Sequence, residues 1–276
     1  MQRVLVTGSA GRIGRKVRAG LAAPDRPLRL LDIADQDPPR PGEPVELVRA
    51  DLADPEAVWR ACAGADAIVH LGGIATEAGW DDLMRNNVEG TRNVLEAARA
   101  TGVTRVVLAS SIHAAGFYHR PGTDPRTPGL AVAPGPDGVP AAEPARPDTY
   151  YGWTKAALEA LGSLYADRFG MTVFALRLGA FTDRPDHVLE LDMWLAPDDG
   201  VRLFAACLDA DVTGFHVLWG VSANPGRWLS IAEANTVGYV PRDESSRFAE
   251  AAAPDRSGTG FWLGGGYTTE PLGERT

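Results

Sequence analysis

Cysteine is scarce in this 276-residue chain: Cys62 and Cys207 lie far apart, each inside an apolar helical pattern. That spacing argues against a disulfide framework and a paired-thiol metal site. It predicts two buried thiols, as suits a reducing compartment, and no metal is expected. Runs of basic residues are absent and the net charge is -9, so neither nucleic acid nor an anionic membrane is expected as a partner. No apolar stretch reaches spanning length, and Met1 to Leu5 leads straight into a strand pattern, leaving no room for a signal peptide. Internal repeats and long linkers are missing too. Together these absences predict a cytoplasmic protein built on a sizeable core, in line with its 45% hydrophobic content.

What is present begins at Val4. The run Val4-Leu5-Val6-Thr7 meets Gly8, Gly11 and Gly14 and then an amphipathic segment through Arg15, Val17 and Leu21, the pattern of a buried strand turning directly into a helix. Gly8 lets the chain reverse, Gly11 lets backbone approach a pyrophosphate, and Gly14 lets the helix pack on the strand. The helix start, with Arg12 and Ile13, offers free N–H groups to phosphates. Leu28 to Leu31 then forms a second strand ending in Asp32, a carboxylate placed to accept hydrogen bonds from adenosine ribose hydroxyls and to repel a 2′-phosphate. NAD is therefore expected, with Arg12 and Arg29 keeping NADP open.

Further along, a proline- and charge-rich loop at 36–44 precedes a strand at Val45 to Val48 and Asp51-Leu52. Asp51 suits either an adenine edge or the cap of a helix from Pro55 to Ala63. Ala67 to Leu71 is a fourth strand, and the small residues after it, Gly72 and Gly73, let a cofactor pass over the sheet edge. A helix is expected from Asp81 to Ala100, a fifth strand from Val106 to Ala109, a helix from Tyr150 to Phe169 and a strand from Val173 to Leu178. Strict alternation implies a doubly wound α/β fold, Rossmann-like, with parallel strands and ligands at their carboxyl ends. Residues 1–179 are expected to form this dinucleotide-binding unit, with an insertion at about 118–147 that reads as a lid or as disorder. Residues 180–276 are expected to form a small substrate cap and tail packed as one unit with it, including a helix over Asp199 to Leu208, a strand over His216 to Trp219 and short helices near Ser230 and Glu244.

The chemistry concentrates in Tyr151-Gly152-Trp153-Thr154-Lys155. Four residues apart on a helix, a phenol and an ammonium share one face. The ammonium is expected to pull the phenol's pKa towards neutrality and so make it a base. Lys155 also suits the nicotinamide ribose, and Ser111, at the end of the fifth strand, can position the reacting oxygen. His113, two residues on, suits either substrate or packing. Trp194, Trp219, Phe261 and Tyr267 suit the wall of a sugar ring, although tryptophans in a cap more often pack a core.

In these motifs the chain resembles the extended short-chain dehydrogenase/reductases of the NAD-dependent epimerase/dehydratase group: Gly8-x-x-Gly11-x-x-Gly14, Asp32, Asp51-Leu52, Asn87-Val88-x-Gly90-Thr91, Ser110-Ser111 and Tyr151-x-x-x-Lys155. It is most similar to the uronate dehydrogenases, through His70-Leu71-Gly72-Gly73-Ile74, Ser111-x-His113, Arg177-Leu178-Gly179, Trp219-Gly220-x-Ser222-Ala223-Asn224 and the glycine-rich tail at Gly264 to Tyr267. The resemblance implies oxidation of the C1 hydroxyl of a cyclic sugar acid by NAD, a homo-oligomer, and Leu71, Asn87 and Leu178 among the cofactor contacts. It also exposes departures. The family's carboxylate-gripping arginine falls at Leu189, a serine at Ala75 and an asparagine at Ile112. The expected substrate is therefore a small sugar-like molecule bound in an altered pocket, with Arg120, Arg126 or Arg184 as candidate replacement cations. An epimerase or ketoreductase using the same trio, and a dinucleotide-sensing regulator without turnover, are the alternatives.

Overall fold

The computed structural model describes residues 1–119, 137–255 and 258–275. Its centre is a seven-stranded sheet of β1 (Val4–Thr7), β2 (Leu28–Asp32), β3 (Val45–Arg49), β4 (Ala67–His70), β5 (Arg105–Ser111), β6 (Thr172–Leu178) and β9 (Phe215–Gly220). The strand order is β3-β2-β1-β4-β5-β6-β9, and every pairing is parallel. β1, β4 and β6 are buried at every position because helices cover both faces, which is why these strands read as continuous apolar runs rather than alternating ones. The order reverses between β1 and β4, and that reversal opens a crevice at the carboxyl ends of the two strands. β7 (Ala180–Phe181) and β8 (Trp194–Leu195) pair separately. β9 comes from the region expected to form the cap and is the last strand of the main sheet.

The flanking helices are α1 (Arg12–Leu21), α2 (Pro55–Cys62), α3 (Trp80–Leu83), α4 (Gly90–Thr101), α5 (Tyr150–Phe169), α6 (Val188–Leu191), α7 (Pro197–Asp209) and α8 (Ala232–Thr236). One face of the sheet joins Val17 and Leu21 of α1 to Leu203, Phe204 and Cys207 of α7; the other joins Val58 and Cys62 of α2 to Val94 and Leu95 of α4 and Leu158 of α5. Each such aliphatic side chain, taken out of water, contributes roughly 1.5–3 kcal/mol. Both cysteines are free and buried, as expected. α2 is capped by Asp54, which accepts from Glu56 N and Ala57 N. Asp51 accepts instead from Ala53 N (2.9 Å), so the capping role belongs three residues later. Gly102 and Gly170 end α4 and α5 in the left-handed region, at φ 80° and 68°.

A single helix over 81–100 is not what forms. Between α3 and α4 the backbone makes a π-helical segment, Met84–Glu89, and the extra residue turns Asn87 inward, 2% exposed. Its Oδ1 accepts from Ile74 N (2.7 Å), and its Nδ2 donates to Ile74 O and to Thr154 Oγ1 (3.0 Å each). One amide thus ties the loop after β4 to α5. His70, at the end of β4, bridges Thr7 Oγ1 (2.7 Å) and Thr91 Oγ1 (3.0 Å), and Thr7 Oγ1 accepts from Gly72 N (3.3 Å).

A third cluster holds Ile112, Tyr118, Val139, Met193, Trp219, Val221, Leu229 and Leu263. It fastens the chain that returns at 137–147 and the C-terminal segment to β9. Trp194 and Trp219 are fully buried and donate their indole N–H groups to Thr182 O and Val139 O, 2.9 Å each. They are core residues, so of the two readings of these tryptophans the packing one holds.

Candidate active site

The glycine loop closes against the end of β4. Gly8 has φ 69°, and a Cβ there would lie 2.6 Å from Gly72 N; a Cβ on Gly14 would lie 2.5 Å from Gly8 O. These two glycines are required by packing. At Gly11, by contrast, the nearest atom to a Cβ is Gly8 O at 3.2 Å, and its outer side is open to the crevice. An opening of this kind at a helix start leaves room for a diphosphate against the backbone. Ile13 packs against the core below it, while Arg12 stands exposed on the first turn of α1.

Asp32 is held beside this loop, Oδ2 accepting from Ala10 N (2.8 Å) and Oδ1 from Ala34 N (2.9 Å). Each oxygen keeps acceptor capacity for a ribose hydroxyl. Arg29 cannot reach across to a phosphate, because it donates to Glu46 and to the carbonyls of Ala61 and Ala63. Asp51 is paired with Arg85 at 2.6 Å, and the Ala53 N–H together with that arginine holds its carboxyl below the usual range. Leu52 lies against Gly72 and Gly90, and Leu71 N donates to Thr7 O. Gly73 is at φ 136° with Asn87 Oδ1 beside it. Leu178 turns its side chain into the core against Gly220. A dinucleotide fits this donor set: an open glycine turn at a helix start, a fixed carboxylate at the end of β2, and small residues over the sheet edge.

At the far side of the crevice stands α5. Thr149 caps it by accepting from Gly152 N (3.0 Å), and Glu77, fully buried in the loop after β4, accepts from Tyr151 N (2.7 Å). Tyr151 is 7% exposed, and the Ser111 side chain lies close enough to act on its phenol. Burial pushes the phenol up to about 12, with Ser111 and the nearby Arg12 charge acting the other way. Lys155 does not acidify it directly. Its Nζ donates to Ala109 O (2.8 Å) and sits 5.5 Å from the Tyr151 ring centre. Burial drops the ammonium to about 8, against the pull of Glu159. The expectation of a lysine-lowered phenol is thus corrected for the protein by itself: desolvation outweighs it.

Glu159 belongs to a buried network behind the site. It accepts from Ser110 Oγ (2.5 Å) and from both Nε and an Nη of Arg177 (3.0 and 2.8 Å), while Arg177 also donates to Ala141 O and Glu143 O. The end of β5, α5 and the returning limb are locked together by one guanidinium.

The substrate side is built mainly from residues that sequence patterns missed. His113 Nδ1 and Asp148 Oδ2 are 2.7 Å apart; the Asp148 carboxyl is wholly buried in a hollow made by Gly116, Gly152 and Gly264, whose Cβ positions would fall 1.9–2.7 Å from its oxygens. With the carboxylate accepting, a neutral His113 carries its hydrogen on Nδ1 and leaves Nε2 as an acceptor. Tyr267 stacks on His113 at 4.1 Å, and His113 meets Tyr151 edge-on at 5.9 Å. The C-terminal segment therefore lies across the site, pinned where Gly273 N donates to Glu77 Oε1 (2.8 Å). Glu270, from the same segment, feels the charges of His113, Asp148 and Glu77. Asp148 sits where a helix cap is ordinarily read, and nothing local marks Glu77 or Glu270.

Of the three altered positions, Ala75 is exposed. Ile112 is buried in the third cluster with Met193 and Trp219, so its side chain packs the core. Leu189 lies on α6 against Gly260 and near Gly265. Arg184 is 74% exposed and pairs with Asp186 at 3.5 Å. Arg120 and Arg126 lie outside the described residues. Phe261 stacks with His119.

Residues 4–182 match the NAD dependent epimerase/dehydratase family. The chain is 41% identical over 248 residues to a uronate dehydrogenase of Agrobacterium fabrum, covering 90% of this chain and 87% of that protein. It is 36% identical over 249 residues to one of Pseudomonas putida, with the same coverage of each. Among solved structures, a mutant uronate dehydrogenase from Agrobacterium tumefaciens complexed with NAD superposes with a TM-score of 0.87 over all of both chains, at 35% identity.

Proposed function

We propose a reaction from the premise that this chain belongs to the NAD dependent epimerase/dehydratase family. It is an NAD-dependent dehydrogenase that oxidises a hydroxyl or hemiacetal carbon of a sugar-like small molecule. The observation that carries this reading is the buried Ser111–Tyr151 pair at the mouth of the dinucleotide crevice, with Lys155 behind it.

In this reading Gly8, Gly11, Arg12, Ile13 and Gly14 hold the diphosphate, Asp32 the adenosine ribose, and Asp51 and Leu52 the adenine. Leu71, Gly72, Gly73, Asn87 and Leu178 line the rest of the path. NAD, when bound, supplies the acceptor for the hydrogen and electron pair leaving the carbon. Ser111 holds the substrate oxygen, and Tyr151 takes its proton. Because burial holds the phenol near 12, ionising it at neutral pH requires more positive potential than the protein alone provides. The Arg12 charge already acts in that direction. Ala75, Ile112, His113 and Leu189 border the substrate in this reading, with Ile112 contributing backbone and shape.

Tyr151→Phe is the direct test. Removal of the proton acceptor should cost on the order of 10²–10⁴-fold in kcat, with NAD affinity measured by calorimetry nearly unchanged. Full activity in that variant sinks the mechanism. We also place the enzyme in the cytoplasm, in keeping with two free buried thiols, and among the described residues no helix is long and apolar enough to cross a membrane. Exposed Trp80, Trp153 and Leu164, on and beside α5, suit contact with a second copy, and light scattering should report a homo-oligomer.

A further inference from the structure

The substrate side of the site carries an imbalance of charge. Glu77 and Asp148 bond residues of the site there, and Glu270 lies on the tail between Tyr267, which stacks on His113, and Gly273, which donates to Glu77. Two of these carboxyls are spoken for: Glu77 takes the amides of Tyr151 and Gly273, and Asp148 takes His113 Nδ1 and Thr149 Oγ1. Glu270 differs. Its Oε2 is buried and makes no hydrogen bond, which is costly to leave so unless a ligand completes it. Cations nearby have other duties. Lys155 donates to Ala109 O, Arg177 is saturated by Glu159 and two carbonyls, and Arg12, on the first turn of α1, acts on the Tyr151 phenol. Leu189, on the segment facing the tail, is apolar.

We infer that the C-terminal segment sets the substrate class: Glu270 accepts a hydrogen bond from a hydroxyl of an uncharged sugar in its hemiacetal ring form, and disfavours a sugar acid. The inference rests on the dehydrogenase reading above and adds the substrate's charge to it. A carboxylate brought beside three acidic side chains meets like charge. A hydroxyl meets a buried acceptor that has nothing else to hold. Sites built to bond a hydroxyl discriminate strongly, because rejection of that group leaves a buried polar atom unpaired. Burial also holds the Glu270 carboxyl above its usual range.

The test uses the whole purified chain with NAD and two matched pairs, glucose against glucuronate and galactose against galacturonate, which differ only at C6. Initial rates of NADH formation should give kcat/KM at least about tenfold higher for the aldose of the better pair. Glu270→Gln should narrow that ratio, chiefly through a lower KM for the uronate, and Glu270→Ala should raise KM for the aldose more than it lowers kcat. Thermal melting and NADH fluorescence check that both variants are folded and bind cofactor. A wild-type preference for the uronate overturns the inference while leaving the dehydrogenase reading in place, as does a ratio unmoved by Glu270→Gln. If NAD binds yet none of the four sugars reduces it, the dehydrogenase reading falls and the inference with it.

Discussion

His70 shows what a buried titratable side chain does when both ring nitrogens are committed to neutral partners. Held between Thr7 and Thr91 at the root of the glycine loop, it loses hydration and gains no counter-charge; burial, with the Lys155 charge adding to it, drops its pKa to about 3. The unfolded chain takes up that proton near 6.5. Between those values the unfolded state binds more protons than the folded one, so the contribution is complete above pH 6.5 and drains away as pH falls towards 3. By pH 5 the loss should be about 2 kcal/mol from this residue alone. Urea midpoints measured from pH 7 to pH 5 should fall more steeply for the wild type than for His70→Asn, which is less stable at pH 7 but cannot titrate there; parallel slopes would refute the assignment. Single residues with strong chemical identity were legible in advance: Asp32 and Ser111 stand where the strand ends place them. The state of Tyr151 was not, because desolvation depends on what covers a side chain, and spacing along a helix says nothing of that.

At the scale of elements, α5 is positioned from both ends of the chain. Glu77 grips its first turn and the tail together, and Asp148 occupies a hollow bounded by Gly116, Gly152 and Gly264. A Cβ at Gly264 would fall 1.9 Å from Asp148 Oδ2, closer than any real contact. Gly264→Ala should therefore cost roughly 1–3 kcal/mol by overpacking and swing Tyr267 off His113. Gly266→Ala, where a Cβ meets nothing within 4 Å, should be close to neutral. Chemical denaturation of the pair checks this, and equal stabilities would contradict the tight packing of the tail. Strands and helices were readable from periodicity because each buries a regular face. The π-helical segment at Met84–Glu89 was not: its extra residue is stabilised by Asn87 reaching Ile74 and Thr154, partners that no local pattern announces. In the C-terminal segment, Gly264 to Tyr267 was legible through the resemblance, but its seat across the site was not, since its order comes from side chains more than a hundred residues away.

Across the whole molecule, the strand order β3-β2-β1-β4-β5-β6-β9 places the glycine loop, Asp32, Ser111 and α5 along one edge, so alternation in the sequence was enough to locate the crevice. It was not enough to specify the ligand's charge at either end. For the dinucleotide end, the structure removes one ambiguity. Arg29 is consumed by Glu46 and two carbonyls, while Asp32, fixed by two backbone amides, would in the proposed placement present negative charge to a 2′-phosphate. Since a ligand stabilises the folded state in proportion to the logarithm of its saturation, NAD at a hundred times its Kd should add about 2.7 kcal/mol. In a chain of this size that is a rise of roughly 5–10 °C in Tm. NADP at the same concentration should give little or none, because the repulsion at Asp32 acts directly on its affinity. Asp32→Ser removes both the ribose acceptor and the repelling charge, so it should lower the NAD shift and raise the NADP shift until the two approach each other. Differential scanning fluorimetry reads all four values without any substrate. Equal shifts from the two cofactors on the unsubstituted chain would mean that the carboxylate at the end of β2 does not face the ribose, and the placement of the dinucleotide in this crevice would have to be redrawn.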